Sequence, residues 1–91
     1  MSQFRKGRLE SNIEHLLAKE IVKTLELQGQ LITITNVSLD ENMERATVHV
    51  EVFPESDKRA ILDELGRKTK KLQHFLLKNI PIRKIPHLIF E

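Results

Sequence analysis

The residues of this chain most able to do chemistry by type and spacing are cations. No acidic residue occurs in residues 65–90, while Arg67, Lys68, Lys70, Lys71, Lys78, Arg83 and Lys84 all fall there. Residues 38–64 reverse the balance, with eight acids against three bases. A formal net charge of +2 conceals this segregation. A basic segment kept free of carboxylates is what a polyanion-binding surface requires. Lys68, Lys71 and Lys78 are spaced to share or flank one helical face, with Arg67 and Lys70 beside them. The bland alternative is a solvated helix surface without a ligand; the length of the acid-free run favours phosphate binding. A second group, Arg5, Lys6 and Arg8, opens the first helix, where the helix dipole disfavours cations. That placement suits either an outside partner or a solvated terminus.

Other chemistries are poorly supplied. His15, His49, His74 and His87 fall in different elements and show no ligand spacing, so no metal is expected. Ser11, Ser38 and Ser56 lack a nucleophile-elbow setting, and no carboxylates form a recognisable acid–base pair. No glycine-rich loop could cradle a phosphate. The expectation is a protein that is not an enzyme and uses no cofactor. The aromatics are Phe4, Phe53, Phe75 and Phe90, with neither Trp nor Tyr. Phe75 and Phe90 fall on apolar positions and are expected in the core, which leaves little for base stacking. Backbone charge and RNA shape, rather than base sequence, are then what such a surface would read.

The positioning elements follow from hydrophobic period. Leu9, Ile13, Leu16, Leu17, Ile21 and Leu25 recur at three- and four-residue spacing and predict a first helix, with Gly29 placed to end it. Residues 31–39 are rich in β-branched side chains, and residues 45–53 alternate strictly, with Ala46, Val48, Val50 and Val52 on one side. The polar stretch at residues 40–44 suits a hairpin turn, and Pro54 stops the second strand. Ser56 is expected to cap the next helix, whose apolar face is Ile61, Leu62, Leu65, Leu72, Phe75, Leu76 and Ile80. Lys68 and Thr69 interrupt that stripe just after Gly66, so a bend or a break is expected there. Pro81 ends the element, and residues 85–90 read as a last strand. The fold class is α+β in two layers, a three-stranded sheet covered by helices on one face.

Ninety-one residues make one domain, 1–91, with a flexible start over residues 1–5. Cysteine is absent, so packing alone must stabilise the chain. No apolar run reaches the roughly 20 residues of a membrane span, and the polar beginning does not read as a secretory signal. A cytoplasmic location is expected.

The order α-β-β-α-α-β is that of the type II KH fold, and the residues resemble one family in particular. Residues 37–50, V-S-L-x-x-x-x-x-x-A-x-V-x-V, and the ending R-x-x-P-x-L-x-F at Arg83, Pro86, Leu88 and Phe90 are similar to ribosome-binding factor A. The likeness runs from about Arg5 to Glu91. The G-x-x-G loop of typical KH domains is absent, as it is in that family, which carries an Ala-x-Gly kink instead. Counted back from Pro86, the kink falls on Lys68, Thr69 and Lys70, with neither Ala nor Gly present. Either Gly66 takes over the bend or the helix runs straighter. The resemblance implies a non-catalytic maturation factor that binds the immature small ribosomal subunit and its rRNA and assists 5′-end processing. Growth in the cold is associated with the family. A monomer is expected, with neither a membrane nor a small-molecule substrate. The alternative is an accessory domain that binds a protein through its sheet edge or acidic middle region.

Overall fold

A computed structural model describes the backbone of residues 2–91 and the side chains of residues 5–91. The expected flexible start over residues 1–5 thus lies largely outside the described side chains. Helix α1 (Ser2–Thr24) is followed by strands β1 (Leu31–Leu39) and β2 (Arg45–Phe53). Helices α2 (Lys58–Arg67) and α3 (Thr69–Asn79) come next, and strand β3 (His87–Phe90) ends the series. The element order is the one the sequence predicts.

The sheet order is β1-β2-β3, so the strictly alternating strand is central. β1 and β2 are antiparallel; β3 joins β2 in parallel, with Ala46 opposite Leu88 and Val48 opposite Phe90. The parallel ladder is extended by Val50 N–H to Glu91 C=O at 2.9 Å and Glu91 N–H to Val48 C=O at 3.0 Å. The imperfect alternation of β1 has a physical cause. A bulge between Ile34 and Asn36 leaves Thr35 unpaired, so the inward positions change from Ile32 and Ile34 to Val37 and Leu39. One inserted residue thus keeps four apolar side chains on the core side across a change of parity. The Thr35 hydroxyl donates to His49 C=O at 3.2 Å at that point.

One cluster forms the core: Ile13, Leu17, Ile21 and Leu25 from the α1 side; Val37, Leu39 and the four even-numbered residues of β2; Ile61, Leu65, Leu72, Leu76 and Ile80; and Leu88. All of α1, α2 and α3 pack on the inner side, and the odd-numbered side of β2 is left open. Every helix buries only one stripe, the two-layer solution for so short a chain. Phe75 and Phe90, expected inside, are half-buried and pack against the cluster's margin.

Several local expectations are corrected. Helix α1 stops at Thr24, before Gly29, although Leu25 N–H still reaches Ile21 C=O at 2.9 Å. Gly29, at φ 92°, serves a turn within the connection of residues 25–30 instead. Ser56 does not cap α2. A 3₁₀ turn over Glu55–Asp57 leads into that helix, and no side chain caps it. Asp57 is engaged elsewhere, its carboxylate accepting Gln30 Nε2–H at 2.9 Å. β3 begins at His87 rather than residue 85, because Pro86 carries no donor and is itself packed inside.

Candidate nucleic-acid interface

The second helical segment breaks at Lys68, and its residue pattern supplies the reason. Leu65 and Leu72 are both fully buried. A straight helix through them would carry Lys68 and Thr69 on the same inner face. An ammonium cannot be buried there without a partner. The backbone at Lys68 therefore leaves helical geometry, at φ −97° and ψ 5°, and its N–H is shared between Glu64 and Leu65 carbonyls, both at 3.1 Å. The Thr69 hydroxyl is satisfied by Leu65 C=O at 3.1 Å, a back-bond that bends helices. The bend lets α2 pack on β2 and β3 while α3 leans against α1. Gly66 is not the hinge. It lies inside α2, and a Cβ there would meet nothing within 4 Å.

On α3, Leu72 and Leu76 face the core with Gln73, Phe75 and Thr69 at the margins. Lys70, Lys71, His74, Leu77 and Lys78 are all exposed. Their spacings place them on the opposite face, where Lys70 and Lys78 each stand four residues from His74 and Lys71 three. Among the described residues, no carboxylate lies within ion-pair distance of Lys70, Lys71 or Lys78. Arg83 and Lys84 are likewise exposed, and Arg83 lines a shallow hollow with Lys78, Pro81 and Ile82. The carboxy-terminal end of α3 thus continues into the same basic surface.

Arg67 and Lys68 stand apart. Both are engaged by Glu64: the Arg67 guanidinium donates from Nε at 3.1 Å and also from Nη2, and Lys68 Nζ lies 3.8 Å from the same carboxylate. The Arg67 hydrogen bond, ahead of the charges of Arg67 and Lys68, holds the Glu64 carboxyl below the usual carboxylate range. Both face a hollow shared with Thr24, Leu25 and Glu26, by the carboxy-terminal end of α1. Such exposed pairs are weakly held and can exchange for a phosphate, but these two cations are less available than those of α3.

Arg5, Lys6 and Arg8 sit at the far end of α1. Glu10, just beyond them, takes the Leu39 N–H at 2.7 Å and so fixes that end of α1 beside the hairpin. The segment after α3 returns to the same end, where His87 N–H bonds Glu44 C=O at 2.8 Å. The structure therefore brings Arg5, Lys6 and Arg8 to the end that also receives Lys78, Arg83 and Lys84. Arg67 belongs to the other end. His74, within the cationic face, went unremarked in the sequence as a contact residue; its place four residues from two lysines on one helix was the available signal. Gln73, also unremarked, secures the edge of β3 by accepting the Leu88 N–H at 3.0 Å. Among the described residues, no group of three His, Asp or Glu residues could hold a metal ion, and no helix is long and apolar enough to cross a membrane.

Fold and surface together define a class: a small α+β protein with its helices on one side of a three-stranded sheet and a cationic ridge on the outer face of α3. The family model of ribosome-binding factor A matches residues 5–91. Ribosome-binding factor A of Mycoplasmoides gallisepticum is 29% identical over 93 aligned residues, which cover 99% of this chain and 76% of that one. The crystal structure of ribosome-binding factor A from Thermus thermophilus superposes with a TM-score of 0.82 at 29% identity, over 94% of this chain and 92% of that chain. A homology model of Thermus thermophilus ribosome-binding factor A, as fitted into the cryo-electron microscopy map of a complex of the 30S subunit with that factor, gives a TM-score of 0.77 at 30% identity, over 91% of this chain and 89% of that chain. This chain belongs to the ribosome-binding factor A family.

Proposed function

We propose that this protein is a small-subunit maturation factor that docks on pre-small-subunit rRNA through the outer face of α3. It is a single KH-like domain, acts in the cytoplasm as a monomer, and works by binding energy alone. Occupying rRNA biases which of its folds persists, and that bias assists 5′-end processing and matters most in the cold. The carrying observation is the row Lys70, Lys71 and Lys78, exposed and without a carboxylate partner among the described residues. Family membership and the relative fitted on the 30S subunit support the choice of target. The absence of Trp and Tyr supports recognition of phosphate geometry over base sequence. Arg83, Lys84, Arg5, Lys6 and Arg8 would extend the contact at the hairpin end, and Arg67 and Lys68 would join it by releasing Glu64.

The test is co-sedimentation with purified small subunits. The triple variant Lys70→Glu, Lys71→Glu, Lys78→Glu is expected to lose association while its thermal melt stays within a few degrees of the parent. Undiminished association would remove this face from the mechanism.

A further inference from the structure

The open side of the sheet carries a second, different surface. β1 is an edge strand of nine residues, paired on one side only, and LITITNVSL contains neither a charge nor a proline. Edge strands ordinarily defend themselves with such residues, because unpaired backbone groups invite another strand. Only part of this edge is defended. Glu10 caps the Leu39 N–H, and the bulge at Thr35 interrupts the middle. Among the described residues, no side chain caps a backbone group of residues 31–34.

Beside that free stretch is an apolar step. Leu31 and Phe53 are cross-strand partners, 67% and 70% exposed. They line a hollow with Thr33, Glu51, Glu55 and Lys58, in which two carboxylates outnumber one ammonium. No cation assigned to the rRNA contact lies on this face. RNA phosphates would meet Glu51 and Glu55 there, and a second copy of the chain would bring its own carboxylates.

We propose that the edge of β1 over residues 31–34, with the Leu31–Phe53 step, docks an extended, lysine- and arginine-rich segment of another protein by strand addition. The free edge supplies main-chain hydrogen bonds, Leu31 and Phe53 receive an apolar residue of the segment, and Glu51 and Glu55 receive its cations. The protein would then hold RNA on its helical side and a basic polypeptide on its sheet side.

Photo-crosslinking on purified small subunits tests this, with p-azidophenylalanine replacing Phe53 in one preparation and Lys71 in another. Both positions are exposed, so the fold should survive, and a thermal melt checks it. Position 53 is expected to crosslink a protein segment rich in lysine and arginine. Adding Leu31→Lys should lower that yield about tenfold, as expected when an apolar interface contact is replaced by a like charge for a basic segment. A crosslink from 53 to rRNA, to a second copy of this chain or to an acidic segment overturns the proposal, as does silence at 53 whatever position 71 does. Loss of RNA crosslinking at 71 with the protein crosslink at 53 intact would instead remove the rRNA reading and leave this one standing.

Discussion

Alanine at Gly66 and alanine at Gly29 should change stability in opposite directions. Gly66 sits inside α2, is exposed, and would place a Cβ in open space. Its only effect in the folded state is the absence of a side chain, while in the unfolded state it adds backbone freedom. Gly66→Ala is therefore expected to stabilise by roughly 0.5–1 kcal/mol. For a chain of this size that raises Tm by about 2–8 °C. Gly29 also has open space around it, but its φ of 92° is one that L side chains rarely adopt. Gly29→Ala should cost roughly 1–2 kcal/mol, lowering Tm by about 4–16 °C. Urea unfolding followed by circular dichroism measures both, with unchanged m-values showing that only stability moved. The reasoning behind the break at Lys68 fails if Gly66→Ala destabilises, because the chain would then need glycine at 66 to bend.

Three further outcomes are expected. Replacing Lys70, Lys71 and Lys78 together by Gln removes about three phosphate contacts. The slope of log affinity against log salt should then become shallower by roughly 2–3, equivalent to losing about a 16- to 64-fold sensitivity between about 50 and about 200 mM salt; an unchanged slope in a binding titration contradicts the assignment. Asp40 takes the N–H groups of Glu44 at 2.8 Å and Arg45 at 3.2 Å, and the Arg45 backbone bond is the main cause holding its carboxyl below the ordinary 3.8. A depressed folded-state pKa contributes stability that is present above the unfolded value and lost as pH falls through the folded one. Asp40→Asn should accordingly lower Tm at neutral pH and flatten its decline below about pH 4, which thermal melts across pH will show. Finally, Leu72→Ala empties a fully buried position where α3 meets the core. It should cost roughly 2–5 kcal/mol, enough to lower the urea midpoint severely in so small a chain; a loss under 1 kcal/mol would mean the site collapses freely.

Much of the scaffold was legible because its signals are local. The strict alternation of residues 45–53 already specified a half-buried strand, and the structure makes it the central one. The three- and four-residue repeats named the inward faces of all three helices. The helix ends were less legible. Gly29 looked like a terminus by type, yet the chain leaves α1 at Thr24 and spends its glycine on a turn within the connection. Ser56 looked like a cap, yet its segment enters α2 through a 3₁₀ turn. In both places a residue's intrinsic preference gave way to the path between two packed elements.

For the candidate site, charge segregation was a property of the sequence alone: no fold could place a carboxylate from residues 65–90 among those cations, because none exists there. Tertiary structure decided availability. Lys70, Lys71 and Lys78 emerge together because they lie on the face of α3 opposite Leu72 and Leu76, which the core buries, while Arg67 and Lys68 end within reach of Glu64. The grouping of Arg5, Lys6 and Arg8 at the end that receives Lys78 likewise depends on the Glu10–Leu39 contact, which joins residues 29 positions apart. Hydrophobic period and charge are written residue by residue, whereas the meeting of distant segments is settled only when one core must be filled from every element at once.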